Sequence, residues 1–195
     1  HLSFNNIKTN ITCCTDQGYI IYSLDPTFEK KVFSGLDGKG GLGLMRMFNR
    51  SNIIIMVGGG SIPYKSKHCV ILYDQLTNKS IIEIDMKMPV KNVLITKDNL
   101  IAVTEKKITL FNWDGRVLEN KETYSNDNGL CVMNGNLNMI ATLGTNKGEV
   151  AIWKYATDSY KTIEAHLTNI ETIAVSNSGK FIATASETGT LIRVF

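Results

Sequence analysis

The chain has 195 residues, of which 43% are hydrophobic and 20% charged, with a formal net charge of +3. That balance lies in the globular range and excludes a disordered chain, and the mild charge neither demands nucleic acid nor implies a large cationic face, although a local cluster can still bind an anion. No apolar run approaches the ~20 residues that a membrane-spanning helix requires.

In chain order, the first strand-like segment to end on an aromatic is "YIIYSLD", closing at Tyr22. A glycine-rich loop at 38–43 follows, then "NIIIMVGGG" and a second closing strand, "VILYD", at Tyr73. The runs "VKNVLIT" and "NLIAVTE" lead to "ITLFNWD" at Phe111, and "GLCVMN" leads to "MIATLGTNKGEVAIW", which ends at Trp153. Last come "NIETIAVS" and "FIATASETGTLIRVF", ending at Phe195. Each run is strand-length, β-branched and bounded by Gly, Asn, Asp or Lys, and no stretch keeps a 3.6-residue apolar period over helical length. The chain therefore reads as nearly all β.

The closing aromatics recur at intervals of 51, 38, 42 and 42 residues. A period near 42 is that of a propeller blade, and "MIATLGTNKGEVAIW" laid over "FIATASETGTLIRVF" repeats both the Ala-Thr opening and the glycine turn. A four-stranded blade cannot bury its apolar faces alone, so several stack about an axis. The expected organisation is one WD40-type β-propeller domain with blades near 1–34, 35–79, 80–120, 121–158 and 159–195 and the closing strands outermost. Five such blades make only part of most rings, so Phe195 is expected to end an incomplete propeller.

Chemistry is sparse. Cys13, Cys14, Cys69 and Cys131 have no C-x-x-C spacing and read as free thiols that hold no metal and form no disulfide. The three histidines, His1, His68 and His166, form no recognisable catalytic or metal-ligating pattern with carboxylates or serines. "GKGGLGL" and "VGGG" lack the P-loop spacing and open no helix, so they read as turn or bulge glycines. Neither an enzyme nor a cofactor is expected.

The chain resembles the PROPPIN or WIPI-like family along essentially its whole length. The likeness rests on "LSFNN" with "CCTDQGYIIYSLDP", on "GGLGLMRMFNRSNIIIMVGGGSIPY" with "KHCVILYD", on "LIAVTEKKITLFNWD" and on "IEAHLTNIETIAVSNSGKFIATASETGTLIRVF". The resemblance implies a seven-bladed propeller, about five blades of it in this chain. It also implies a phosphoinositide-binding, non-enzymatic adaptor that recognises phosphatidylinositol 3-phosphate or the 3,5-bisphosphate. Such an adaptor would be cytoplasmic and monomeric, peripheral on autophagosomal precursor, endosomal or vacuolar membranes, with an autophagy lipid-transfer protein as partner. The family's Phe-Arg-Arg-Gly signature follows the Arg-Val-Phe strand, beyond Phe195, so only part of one lipid pocket is expected here. A WD-repeat protein-interaction scaffold without lipid binding is the alternative, and the repeat by itself supports it equally.

The resemblance marks Arg193 as a phosphate ligand, a role suited to a planar fork of N–H donors. Taken by itself, an arginine alternating with Ile192 and Val194 is an exposed strand residue. Ser186, Thr188 and Thr190 flank Gly189 in a tight connection and are candidates for the same headgroup, with turn chemistry as the other reading. His166, in "EAHLTNI", is a further candidate, with a structural histidine as the alternative. Pro63, Tyr64, Lys65 and Lys67 of "SIPYKSK" resemble the family's partner-binding loop; read by themselves they form an exposed hairpin with solvated lysines.

Overall fold

The computed structural model describes residues 1–24, 29–33, 36 and 40–195; Gly38 and Lys39 of the expected glycine-rich loop lie outside the described residues. Among the described residues the strands assemble into five sheets, each joining neighbours in sequence. The first contains β1 (Leu2–Phe4), β2 (Asn10–Thr15), β3 (Gly18–Ser23) and β4 (Glu29–Phe33). The second contains β5 (Gly41–Met47), β6 (Ile53–Gly59), β7 (Cys69–Asp74) and β8 (Lys79–Asp85), and the third β9 (Asn92–Ile95), β10 (Asn99–Val103), β11 (Lys107–Asn112) and β12 (Val117–Glu122). In the fourth are β13 (Cys131–Asn134), β14 (Met139–Leu143), β15 (Glu149–Lys154) and β16 (Ser159–Glu164), and in the fifth β17 (Ile170–Val175), β18 (Ile182–Ser186) and β19 (Ile192–Val194). The described residues contain no α-helix; a 3-10 turn at Gly135–Leu137 is the one helical element among them.

The closing strands were expected outermost, and the structure corrects this. β3, β7, β11 and β15 are third in their sheets, each with one more strand outside it; β19 forms the edge of the three-stranded fifth sheet. The cause is physical. Third strands are buried on both faces, as in Cys69–Asp74, and present a continuous apolar run. The fourth strands β8, β12 and β16 bury one face or less, as the alternating exposure of β8 shows, and read as polar connections.

The described residues fall into two compact units, His1–Ala102 with Leu110–Leu118, and Val103–Thr109 with Glu119–Phe195. In the first unit one core gathers Tyr19, Ile21, Met45, Ile54, Met56, Ile71 and Tyr73. A second core there contains Ile55, Val57, Val70, Val93, Leu100 and Phe111, on the opposite face of β6 and β7. In the second unit Ala141, Leu143 and Val150 of the fourth sheet pack on Ile170, Ile173 and Ile182 of the fifth. That contact seats the fifth sheet, which carries Arg193.

The "VGGG" run ends β6 because backbone passes very close to it. A Cβ on Gly58 would lie 2.5 Å from the Tyr64 carbonyl oxygen and 2.8 Å from that of Lys65. This agrees with the reading of these residues as structural glycines.

Candidate functional site

β18 and β19 pair antiparallel with Ala183 opposite Val194, Thr184 opposite Arg193 and Ala185 opposite Ile192. Directly paired residues share a sheet face, so Arg193 lies on the face of Thr184 and, two residues along the strand, of Ser186. Ile192 and Val194 are 77% and 61% exposed on the other face, as the alternation in the sequence required.

Arg193 is exposed but tethered. Its Nη1 donates to the Ala165 carbonyl oxygen at 2.5 Å. Ala165 and His166 lie in the connection from β16 to β17, whose backbone is itself held: the amides of both residues donate to the Gly148 carbonyl at 2.9 Å. Gly148 ends a turn ordered by Glu149, whose Oε2 accepts from the Asn146 amide at 3.0 Å and from Asn146 Nδ2 at 3.2 Å. Burial opposes ionisation of Glu149, yet hydrogen bonds from Thr162, Asn146 and Thr145 outweigh it and hold the carboxyl below its ordinary value. Further along the connection, Asn169 Nδ2 donates to Glu187 Oε2 at 3.1 Å, and the Glu187 amide donates to the Asn169 carbonyl at 2.9 Å.

The sequence-selected residues are brought together unevenly. Ser186 is buried and its hydroxyl meets that of Thr188 at 2.8 Å, closing the turn in which Gly189 has φ +65°. Thr190 is exposed, with no side-chain hydrogen bond among the described residues. His166 is buried at 8% exposure and its Nε2 lies 2.9 Å from Thr184 Oγ1 of β18, the geometry of a histidine that ties the 165–169 connection to the fifth sheet. Sequence reasoning missed Thr184 and the Ala165 carbonyl. Thr184 looks like any strand threonine, and a main-chain acceptor 28 residues from its donor leaves no trace in composition.

In the other unit the loop 61–67 is pinned along its length. Gly41 donates to the Ile62 carbonyl, Tyr64 donates to the Gly41 carbonyl, both at 2.8 Å, and Pro63 bridges Gly41 in parallel. Tyr64 is half-buried against the first core. Lys65 is paired with Glu83 of β8, which holds the ammonium above and the carboxyl below their ordinary values. Lys67 is exposed, while its carbonyl accepts from the Val90 amide at 2.9 Å. The lysines therefore differ: one is committed to an ion pair and the other extends from an anchored backbone.

All four cysteines are free. Burial pushes Cys131 up to about 12 and Cys14 up to about 11, which leaves them protonated and poor nucleophiles at neutral pH. Among the described residues no group of three or more His, Cys, Asp or Glu is arranged to hold a metal, and no helix is long and apolar enough to cross a membrane.

A family model described as eukaryotic translation initiation factor eIF2A matches residues 54–193. SVP1-like protein 2 of Pichia angusta is 29% identical over 98% of this chain and 56% of its own length. Autophagy-related protein 18 of Dictyostelium discoideum is 29% identical over the whole of this chain and 52% of its own length. The crystal structure of Kluyveromyces marxianus Hsv2 resembles the chain with a TM-score of 0.78 at 21% identity, covering all of this chain and 60% of that one. A complex of KlAtg21 with the coiled coil of AgAtg16 gives 0.79 at 19% identity, covering all of this chain and 64% of that one. The chain spans about half the length of the curated relatives it matches. Its fold is accordingly part of a β-propeller.

Proposed function

The chain belongs to the family of the eIF2A model, matched over residues 54–193, and we propose that it is also a PROPPIN and part of a non-enzymatic phosphoinositide-binding adaptor acting in autophagy or endolysosomal traffic, a reading supported by relatives aligned along all or nearly all of it. The translation-factor wording attaches to a model that covers part of the chain. The autophagy names attach to relatives that cover all or nearly all of it, and so carry more of the sequence.

The observation that supports the reading is Arg193. A guanidinium is fixed at one nitrogen by a main-chain carbonyl, its other N–H groups have no partner among the described residues, and small hydroxyls stand at the end of β18 and in the turn that joins it to β19. Such a fork suits an inositol phosphate, each charge-assisted bond contributing ~1.5–3 kcal/mol. Ser186, Thr188 and Thr190 are the proposed hydroxyl donors of the same half-pocket, and His166 acts behind it from a buried position. A second contact elsewhere in the complete protein would supply the avidity that stable membrane attachment needs. The loop at Pro63, Tyr64, Lys65 and Lys67 is the proposed protein-partner surface, and a lipid-transfer protein of the autophagy machinery is the proposed partner. The KlAtg21 complex supports a protein partner in general terms, since that propeller binds a coiled coil.

Flotation of the full-length protein with phosphatidylcholine vesicles containing phosphatidylinositol 3-phosphate tests the lipid reading. Arg193→Ala should lose most flotation while its thermal midpoint stays near wild type. Flotation equal to wild type would leave the protein-interaction scaffold without lipid binding as the better reading.

A further inference from the structure

We infer that Thr184 is a positioning residue for Arg193: its hydroxyl fixes the His166 ring, and the backbone at that ring presents the carbonyl that holds the guanidinium in its binding geometry. The inference rests on the lipid reading above and adds to it a residue that never touches the ligand.

Thr184 is 1% exposed and sits directly across β18–β19 from Arg193. It reaches the arginine by an indirect route. Thr184 Oγ1 lies 2.9 Å from His166 Nε2, the Ala165 carbonyl precedes the His166 amide in the same peptide, and that carbonyl accepts from Arg193 Nη1. The far side of the peptide is fixed, because the Gly148 carbonyl accepts from both the Ala165 and His166 amides. The 165–166 peptide is thus held on one side by a carbonyl and on the other, through the imidazole, by one hydroxyl.

Removing the hydroxyl strands a buried imidazole nitrogen, and relief comes from rotating the ring and tilting the peptide that carries it. The Ala165 carbonyl then leaves the line of Nη1. Arginine gives up considerable rotamer freedom when held, so loss of its anchor returns that cost to the binding step. The charge of the site is unchanged, and only its pre-organisation is lost. A purely structural threonine behaves differently: its loss lowers the fraction of folded protein and leaves the affinity of the folded fraction as it was.

The test uses the full-length protein and phosphatidylcholine vesicles with and without phosphatidylinositol 3-phosphate, titrated at several salt concentrations, with capacity and dissociation constant fitted separately. Arg193→Ala should abolish most specific binding and flatten the salt dependence by removing a charge. Thr184→Val should raise the dissociation constant roughly three- to tenfold with capacity and salt dependence retained, and Thr184→Ser should restore binding close to wild type. If Arg193→Ala loses binding while Thr184→Val matches wild type, or while Thr184→Val loses only capacity, or Thr184→Ser fails as badly as Thr184→Val, the positioning role is overturned and the lipid reading stands. If Arg193→Ala itself binds as wild type, the lipid reading fails, and the inference fails with it.

Discussion

Gly148 and Gly189 have nearly the same backbone conformation, φ +75° and +65°, in very different surroundings, so replacing each by alanine separates conformational strain from steric exclusion. Placing an L-residue in the left-handed region costs ~1–2 kcal/mol at either position. At Gly189 a Cβ meets nothing within 4 Å, so that cost is the whole expected effect. At Gly148 the Cβ would fall 1.8 Å from the His166 carbonyl oxygen, 2.7 Å from its carbon and 3.1 Å from the Thr168 oxygen. Those are main-chain atoms, and moving them away breaks the bonds from the Ala165 and His166 amides to the Gly148 carbonyl, at ~0.5–1.5 kcal/mol each. Gly148→Ala should therefore destabilise by ~2–5 kcal/mol, against ~1–2 kcal/mol for Gly189→Ala. Urea unfolding of the two full-length variants, fitted with a common slope, measures the difference. Equal losses would refute the close approach of the 144–149 turn to the 165–168 connection, and with it the anchoring of the Ala165 carbonyl that holds Arg193.

Three further outcomes follow from separate parts of the chain. The folded value of Glu149 lies below its ordinary 4.5, so the stability it contributes is full above that pH and is lost as pH falls through the folded value. Urea midpoints of wild type should accordingly drop more steeply in acid than those of Glu149→Gln, and parallel curves would remove Glu149 from the account. The Lys121 ammonium lies 5.3 Å from the Trp153 ring centre and 5.4 Å from that of Tyr160, so Lys121→Gln should cost ~0.5–1 kcal/mol and alter tryptophan emission; an unchanged spectrum and midpoint would contradict the contact. Gly58→Ala should force the Tyr64–Lys65 backbone outward, speeding hydrogen exchange at the Tyr64 amide and proteolysis after Lys65 and Lys67, whereas wild-type exchange there would contradict the pinned loop.

The repeat was legible because third strands such as Cys69–Asp74 are apolar on both faces and end on a buried aromatic, Tyr73 being 2% exposed. Fourth strands were not, since Lys79–Asp85 and Ser159–Glu164 bury little and carry the composition of a linker. The side of the sheet that Arg193 faces followed from alternation alone. Its partner did not, because a carbonyl has no residue identity and the Ala165 acceptor is set by where the fourth and fifth sheets meet. His166 shows the intermediate case: its place in "EAHLTNI" favours a structural histidine over a ligand, and what holds the ring, Thr184, emerges only from the fold. The "VGGG" run reads as structural in the sequence, and the close backbone at Gly58 agrees with that, but the loop whose carbonyls crowd Gly58 lies several residues on and emerges only from the fold.

Phosphate recognition by Arg193 is read most directly from its side-chain Nε–Hε resonance in the full-length protein, assigned through Arg193→Lys and titrated with soluble inositol 1,3-bisphosphate. A saturable shift of that resonance is expected, with a dissociation constant that rises with salt and no comparable response to unphosphorylated inositol. A resonance that stays in place while the headgroup binds elsewhere, or that moves equally with inositol alone, would contradict that recognition.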